Sequence, residues 1–161
     1  MTHEDIPYFE DLEAPLRPGE PIVERNVVHV IVFDPKTNKV LCLDIPKFKW
    51  HTIIVGGVED SETTFEAAKR EVAEETGYVD IEFVKEVGKS RSGFYAAHKK
   101  ENRIANATGM LFRLISDKKV PTNKEDAANH TCVWVSKDEV SGYLNIASQN
   151  YIWSKALEVL E

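Results

Sequence analysis

Apolar residues recur along the chain in short runs that predict β-strands. The run NVVHVIVFD at residues 26–34 is rich in β-branched residues, and a polar turn separates it from VLCLDI at residues 40–45. Two such runs with a short polar connection predict a β-hairpin. Further strands are predicted from the apolar runs within residues 46–57, 79–90, 103–115 and 131–135.

Two polar segments interrupt the second half of this pattern. Residues 90–102 are polar and basic, and they predict a loop or a hairpin. Residues 116–130 contain a proline and many charged side chains, and they predict a long polar loop.

A helix is predicted in the middle of the chain, where the apolar period lengthens. Phe65, Ala68 and Val72 fall on one stripe of a helix, and we expect this stripe to pack on a sheet. Two more helices are predicted at residues 137–144 and 149–160. Strands on both sides of a helix, followed by a terminal helix, indicate a mixed sheet between helices. Periodicity alone therefore places the fold in the α/β or the α+β class.

The ends of the central helix are marked by particular residues. Thr63 and Glu66 have the spacing of a capping box, in which a hydroxyl and a carboxylate each bind a free backbone amide. Asp60 or Ser61 can cap the helix instead. Gly77 suits the left-handed residue that ends a helix.

Residues 1–24 differ in composition from the rest of the chain, because they are rich in proline and in acidic side chains. The prolines are Pro7, Pro15, Pro18 and Pro21. Such a segment predicts an extended arm, and residues 25–161 are expected to form one domain. The arm can lie across that domain or across a second copy of the chain in a homodimer, and the sequence leaves both arrangements open.

Bulk composition excludes several classes of function. The chain has 161 residues and a formal net charge of −7. A general nucleic-acid-binding protein is not expected, because that affinity depends on basic residues that neutralise phosphates. No apolar stretch approaches the ~18 residues of a membrane span, and the acidic first residues do not resemble a signal peptide. We therefore expect a cytoplasmic protein without a membrane segment.

The two cysteines, Cys42 and Cys132, lie in apolar, strand-like runs. The sequence contains no CxxC motif and no cluster of cysteine and histidine. Buried, reduced thiols are therefore expected in preference to a disulfide or a metal-binding pair.

Three glutamates crowd the end of the predicted central helix. Glu71, Glu74 and Glu75 are i, i+3 and i+4 neighbours, so they project from one face. Like charges at this spacing destabilise a helix unless a cation lies among them. Oxygen ligands without His or Cys suit Mg2+, with Mn2+ as an alternative, and Gly56 permits a backbone turn that presents its carbonyl to the same ion. The sequence therefore predicts a metal site formed by these four residues.

Arg70 precedes Glu71, and Glu62 lies two helical turns earlier on nearly the same side as Arg70. An arginine fork between carboxylates can fix their orientation and offset part of their repulsion. We expect Arg70 to orient the carboxylates without touching the substrate.

Residues 56–78 combine these features in one pattern, G-x5-E-x7-R-E-V-x-E-E-x-G-Y. The pattern resembles the Nudix box at each of its fixed positions, and Tyr78 stands where an aliphatic residue is usual. The resemblance implies that residues 25–161 form a Nudix domain, an α/β/α sandwich with a mixed β-sheet. It also implies hydrolysis of the pyrophosphate bond in a nucleoside diphosphate linked to another moiety, with a small-molecule nucleotide as the binding partner.

Position in the box assigns roles to the acidic residues. The resemblance makes Glu71, Glu74 and Glu75 the metal-binding and catalytic acids, with Glu71 and Glu75 as ligands and Glu74 as a ligand or the general base. In relatives, a further acid from outside the box can join the site. The candidates here are Glu125, which we rank first, Asp126 and Glu101.

Substrate preference follows from residues outside the box. Tyr95 lies at the spacing where the dinucleoside polyphosphate group carries a tyrosine, whereas Gly93 stands where the ADP-ribose group has a proline. Dinucleoside polyphosphates are therefore favoured, and nucleoside triphosphates, nucleotide sugars and ADP-ribose are alternatives. Arg91 is a candidate for binding phosphate. Trp50 and Tyr95 are candidates for stacking on a base, although core packing is the more frequent role of a tryptophan.

Two other functional classes share this fold. Isopentenyl diphosphate isomerases need an additional Cys and Glu pair near the substrate, and both cysteines here lie in apolar runs. A non-catalytic nucleotide-binding Nudix domain is the other alternative. Because every acidic position of the box is present, we expect an enzyme.

Overall fold

A computed structural model of the chain describes residues 5–122 and 129–161. The helices and strands with fully described bounds are, in chain order, β1 (Tyr8–Glu10), β2 (Ile22–Asp34), β3 (Lys39–Ile45), β4 (Trp50–Thr52), β5 (Ile54–Gly57), α1 (Thr64–Thr76), β6 (Ile81–Ala96), β7 (Glu101–Leu114), β8 (Thr131–Ser136), α2 (Val140–Tyr143) and α3 (Ala147–Leu160). None of the described helices is both long and apolar enough to cross a membrane.

The strands form one mixed sheet in the order β1-β6-β7-β2-β3-β4. β2 pairs in parallel with β7, from Ile22 opposite Asn102 to Phe33 opposite Arg113. The other edge of β2 is shared, because β5 pairs with its middle and β3 with its end, both antiparallel. β8 then adds to β3. The mixed sheet predicted from the order of the elements is confirmed.

Each face of the sheet has its own apolar core. Residues of β2 alternate between the two cores, since Val28 and Val30 lie with α1, whereas Ile31 lies with α3. The α1 core also contains Ala67, Ala68, Val72, Met110 and Phe112. The α3 core also contains Cys42, Leu111, Ile152, Trp153 and Ala156. Helices on both faces of a mixed sheet give the α/β/α sandwich that the resemblance to Nudix proteins implied.

α1 begins and ends at residues that the sequence identified. Thr63 Oγ1 accepts the Glu66 amide at 3.1 Å, and Glu66 Oε1 accepts the Thr63 amide at 3.2 Å. Gly77 caps the other end with a φ of 85°, and its N–H bonds to the Ala73 carbonyl. The predicted capping box and terminal glycine are therefore confirmed.

The apolar stripe of α1 differs from the prediction at one position. Ala68 and Val72 are fully buried, but Phe65 is 41% exposed. Its ring lies 5.9 Å from the rings of Phe83 and Phe112, which belong to β6 and β7. Because Phe65 occupies the first turn of α1, its ring contacts these strands from the side and leaves one surface open to solvent.

The polar segment 90–102 forms a hairpin, which was one of its two predicted structures. β6 continues through Ala96 and pairs with β7, from Ile81 opposite Leu114 to Ala96 opposite Glu101. The sequence predicted that this strand ends at residue 90, whereas β6 continues to Ala96. Polar side chains on the outer half of β6 carry no apolar alternation, which is the signal that predicts a strand.

The N-terminal arm lies across its own domain, along β6. β1 pairs with β6 in parallel, with Tyr8 opposite Arg91. The buried Asn102 side chain accepts the Arg17 amide at 2.8 Å and donates to the Arg17 carbonyl at 2.8 Å, while its backbone amide donates to the Pro21 carbonyl at 2.7 Å. β2 runs without a break through residues 24 and 25, and the division of the chain at that point stays a prediction.

Both cysteines are free thiols. Cys42 is buried and Cys132 is partly buried. Burial raises the pKa of the Cys42 thiol to about 12, and it also raises the pKa of Cys132. The predicted burial holds for Cys42 and only in part for Cys132, and neither thiol is a ready nucleophile at neutral pH.

Candidate active site

Arg70 lies at the centre of the carboxylates that the sequence singled out. Its Nε donates to Glu62 Oε2 at 2.7 Å, and its Nη2 donates to Glu62 Oε1 at 3.0 Å. Its Nη1 donates to Glu71 Oε1 at 2.9 Å and to Glu74 Oε2 at 3.1 Å. Nη2 also donates to the backbone oxygen of Gly57 at 2.9 Å. One guanidinium therefore connects three acidic residues to the end of β5. We call Arg70, Glu62, Glu71 and Glu74 the Arg70 cluster.

The Arg70 cluster changes the proton affinity of its members. The hydrogen bonds from Arg70, with a further one from the Glu59 amide, lower the pKa of Glu62 to about 2. Hydrogen bonds to Glu62 and Glu71 in turn raise the pKa of Arg70. Both Glu62 and Arg70 therefore stay charged across the range in which enzymes work. Charge-assisted hydrogen bonds of this kind are the strong ones in proteins.

Gly56 leaves space for the carboxyl group of Glu71. A Cβ at position 56 would lie 2.0 Å from Glu71 Cδ, which is far closer than two carbon atoms can approach. The sequence suggested that this glycine permits a backbone turn, but it lies within β5 and its φ is not positive. The structural reason for the glycine is close approach, because any side chain there would displace Glu71.

Contacts with β8 and with the residue before it hold the last turn of α1. His130 Nε2 donates to the backbone oxygen of Glu75 at 2.7 Å, and Cys132 Sγ donates to the same oxygen at 3.7 Å. Just beyond the helix, the Tyr78 hydroxyl accepts a hydrogen bond from Trp134 Nε1 at 3.1 Å. The carboxylate-bearing end of α1 is therefore attached to a strand that lies much later in the chain.

A sequence model described as the NUDIX domain matches residues 23–157. This match covers most of the chain and includes the whole 56–78 pattern. The chain belongs to the Nudix family. Family membership together with the complete Nudix box identifies it as a pyrophosphohydrolase.

Solved structures with a similar fold include three that are described here. A C. elegans Ap4A hydrolase is 15% identical, with a TM-score of 0.62 over 86% of this chain and 100% of that chain. The E. coli dihydroneopterin triphosphate pyrophosphohydrolase is 15% identical, with a TM-score of 0.60 over 83% of this chain and 96% of that chain. A MutT protein from Bacillus halodurans is 22% identical, with a TM-score of 0.57 over 81% of this chain and 80% of that chain. Identities this low show the shared fold alone. No curated protein sequence matches this chain.

The acidic residues of the Nudix box fit a divalent cation by their chemistry. Glu71, Glu74 and Glu75 offer only oxygen atoms, which hard cations prefer. Within residues 5–122 and 129–161, no three His, Cys, Asp or Glu side chains are arranged as a metal site, and Glu71 and Glu74 each turn an oxygen to Arg70. A carboxylate has two oxygens, so it can accept a hydrogen bond on one and bind a cation with the other.

A cleft of about 590 Å3 opens beside the loop that precedes α1. Glu62 lines the cleft from the Nudix box, Arg91 and Asn106 line it from the sheet, and Ile6 lines it from the arm. Arg91 donates to Asn106 Oδ1 at 3.1 Å and to Glu24 Oε1 at 3.2 Å. The predicted phosphate-binding residue Arg91 therefore shares a cleft with a residue of the Nudix box.

The two residues predicted to stack on a base have different surroundings. Trp50 is 44% exposed in β4, and its ring stacks on Phe48 with centroids 4.6 Å apart. The expected core packing of Trp50 is therefore wrong, because a short edge strand does not bury its ring. Tyr95 is buried, and the Arg17 guanidinium of the arm lies 4.2 Å from its ring centroid. The arm thus covers Tyr95, whereas Trp50 is accessible.

The candidates for the further acid lie apart from the Arg70 cluster or outside the described residues. Glu101 begins β7 and forms its ion pair with Arg103 at 3.0 Å. Glu125 and Asp126 lie outside the described residues. Their predicted role therefore stays a prediction.

One basic residue beside the Nudix box was missed by the sequence analysis. Arg25, in β2, places Nη2 2.7 Å from the position that a Cβ on Gly57 would occupy. The pairing of Val27 with Gly57 puts Arg25 two residues further along the same face of the sheet. Only the register between β2 and β5 reveals this proximity, and no local sequence signal encodes that register.

Proposed function

We propose that this Nudix pyrophosphohydrolase depends on Mg2+ and cleaves a nucleoside diphosphate linked to another moiety, with dinucleoside polyphosphates favoured. The observation that carries the proposal is the Arg70 cluster. One guanidinium orients Glu62, Glu71 and Glu74 beside the glycines at the end of β5. Acids that are held in place before the substrate arrives need little reorganisation during the reaction.

We assign the metal-binding role to Glu71, Glu74 and Glu75, together with the backbone carbonyl of Gly56. Mg2+ is the expected ion, and Mn2+ is the alternative, because both prefer oxygen ligands. When bound, such an ion neutralises phosphate charge and makes a coordinated water more acidic. Arg70 is assigned a positioning role, since all of its described polar contacts are with residues of the box and its loop.

The protein must also accept a proton from the attacking water. The water oxygen forms a bond to phosphorus, and its proton passes to a carboxylate. The bridging P–O bond breaks, and the bridging oxygen leaves with the electron pair on the second phosphate group. Glu74 suits this role because its side chain is 41% exposed and Arg70 holds one of its oxygens. Glu75 and Glu125 are the alternatives for the base.

Side chains outside the box support a nucleotide as the substrate. Trp50 offers an exposed ring for stacking, and Lys47 Nζ lies 5.4 Å from the ring of the adjacent Phe48. Arg91 lies in the cleft beside Glu62 and is assigned to bind phosphate. Nucleoside triphosphates, nucleotide sugars and ADP-ribose carry the same groups in other combinations, and they are the alternative substrates.

A substrate panel tests the proposal. The panel contains diadenosine polyphosphates, nucleoside triphosphates, nucleotide sugars and ADP-ribose. Each compound is incubated with Mg2+ and with one of three proteins: the wild type, Glu75→Gln or Glu158→Gln. The products are resolved by chromatography. Glu158 is a matched control, since it is a 70% exposed acid on α3. We expect hydrolysis of diadenosine polyphosphates that EDTA stops, that falls by about 10^2-fold to 10^4-fold in Glu75→Gln, and that is unchanged in Glu158→Gln.

Three other outcomes would change the proposal. Full activity in Glu75→Gln would remove Glu75 from the site. Preferential cleavage of another member of the panel would replace the favoured substrate class. Nucleotide binding without turnover, with either Mg2+ or Mn2+, would favour the non-catalytic nucleotide-binding alternative.

A further inference from the structure

Arg25 differs from the other arginines because its side chain has no hydrogen bond, ion pair or aromatic ring contact within the described parts of the chain. The partners of the others are Tyr95 for Arg17, Glu62 for Arg70, Glu24 for Arg91, Glu101 for Arg103 and Glu82 for Arg113. Arg25 is exposed and forms neither a hydrogen bond nor an ion pair with the described residues. A guanidinium carries five N–H donors, so the full capacity of Arg25 remains for a ligand.

The guanidinium of Arg25 lies against the backbone of Gly57. Its Nη2 and Cζ lie 2.7 Å and 3.6 Å from the point where a Cβ of Gly57 would stand, so the guanidinium covers the backbone of this residue. The preceding residue, Gly56, is covered in the same way by Glu71. Successive residues of a strand face opposite sides. Arg25 and Glu71 therefore flank the end of β5, one on each side of its backbone.

Most charged side chains near this end of β5 are acidic, so an unpaired arginine there is important for binding an anionic substrate. The loop and the first turn of α1 carry Glu59, Asp60, Glu62 and Glu66. Arg70 is engaged by its own carboxylates. A polyphosphate approaching a protein of net charge −7 needs local positive charge. Arg25 supplies that charge in a form that suits bidentate phosphate binding.

We propose that Arg25 binds a substrate phosphate beyond the two of the cleaved linkage, and that this contact favours longer polyphosphate chains. The two phosphates of the cleaved linkage are expected at the box carboxylates. A third or fourth phosphate would cross the end of β5 and meet the guanidinium on the other side. The identity of the substrate rests on the proposed function, whereas the contact rests on the position of Arg25.

Binding of inorganic anions tests the contact without requiring turnover. Calorimetric titrations of tripolyphosphate and pyrophosphate, with Mg2+ at fixed ionic strength, are compared between the wild type and Arg25→Ala. We expect the affinity for tripolyphosphate to fall by about tenfold or more, because charge-assisted hydrogen bonds are lost. The affinity for pyrophosphate should change by less than about threefold. Arg113→Ala is the matched control, since it removes a half-exposed arginine elsewhere.

A second variant changes the position of the Arg25 side chain without replacing the residue. Gly57→Ala places a methyl group against Nη2 and should displace the guanidinium, so it is expected to weaken tripolyphosphate binding in the same direction. If both changes act through one contact, the double variant will bind no more weakly than Arg25→Ala. Gly142→Ala is the control for this change, because nothing lies within 4 Å of its added methyl group.

The outcomes separate this inference from the proposed function. The inference fails if the wild type does not bind tripolyphosphate, if Arg25→Ala and Arg113→Ala lose equal affinity, or if both anions are affected equally. Hydrolysis that requires Glu75 but is indifferent to Arg25 would keep the function and overturn the inference. If tripolyphosphate binding depends on Arg25 but the protein hydrolyses none of the panel, the inference stands and the proposed function fails.

Discussion

Arg70 contacts both carboxylate oxygens of Glu62, through Nε at 2.7 Å and Nη2 at 3.0 Å. This bidentate pair attaches the loop before α1 to the helix itself. Glu62→Gln keeps the shape of the side chain and removes its charge, so Arg70 and the acids it orients should shift slightly. We expect kcat to fall by about 10-fold to 100-fold, as for other changes to supporting residues, with the fold retained. Steady-state kinetics beside circular dichroism will measure both quantities.

Acid should weaken the same pair. The pKa of Glu62 is about 2 in the folded chain, against an ordinary value of 4.5. Because the folded value is the lower one, the stabilisation is present above pH 4.5 and is lost as the pH falls towards 2. The urea unfolding free energies of the wild type and of Glu62→Gln should therefore converge over this range. A difference that stays constant down to pH 2 would show that the charge of Glu62 does not stabilise the fold.

Local features of the Nudix box were predictable from sequence. The capping box at Thr63 and Glu66 and the terminal Gly77 follow from helix geometry over a few residues. Glu62 contacts Arg70 as expected, but it does so from the loop before α1 and not from the helix. The mixed sheet followed from the order of the predicted strands and helices. The helix ends depend on contacts between residues that are close in the sequence, which capping rules describe, whereas the sheet was predicted only as far as the order of its elements.

Features that depend on pairing between distant strands were not predictable. Arg25 reaches Gly57 through the register of β2 with β5, and Tyr95 is buried because the arm brings Arg17 over its ring. Trp50 is exposed because it lies in a short edge strand. No periodic signal within one segment records such contacts.

Replacing Gly56 tests whether Glu71 needs its present position. In Gly56→Ala the new methyl group would meet Glu71 Cδ at 2.0 Å, so the carboxylate must move. A displacement of about 1 Å at a catalytic group can lower the rate by about 100-fold, and we expect a fall in kcat/KM of at least that size. Gly142→Ala, whose methyl group meets open space, should leave kcat/KM unchanged. Equal activity in the two variants would mean that catalysis does not depend on the present position of Glu71.

His29 predicts a second pH dependence, closer to neutrality. The side chain is only 4% exposed, and burial lowers its pKa from 6.5 to about 4. Below pH 6.5 the unfolded chain binds a proton that the folded chain does not, so the free energy of unfolding falls as the pH drops from 6.5 to 4. Over this pH range the protonation of His29 lowers the free energy of unfolding by ~3 kcal/mol.

Urea unfolding at pH 7 and pH 4.5 will measure this dependence. His29→Leu removes the titrating group and should reduce the loss of stability between these two pH values. His98→Gln is the control, because His98 is exposed in the β6–β7 turn, and this change should preserve the wild-type pH dependence. An unchanged pH profile in His29→Leu would contradict the assignment to His29.

Trp50→Ala tests the accessible ring. Because the ring is half exposed and stacks on Phe48, its loss should change the free energy of unfolding by less than about 1 kcal/mol. A base stacked on an aromatic side chain gains roughly 1–3 kcal/mol, so KM for the nucleotide substrate should rise by about tenfold or more. Phe94→Ala, at another exposed aromatic residue, should leave KM unchanged. Equal KM values in the two variants would place the base elsewhere.

The parallel pairing of early strands with late ones sets the order in which the chain can fold. β2 pairs with residues 102–113 of β7, and β1 pairs with residues 91–93 of β6. During synthesis, which proceeds from the N-terminus, β2 leaves the ribosome long before β7 exists. Until then one edge of β2 has no partner, and an unpaired apolar strand is prone to aggregation. Assembly of the sheet therefore waits for β7, and the unpaired edge of β2 stays exposed until β7 has been made and has paired with it.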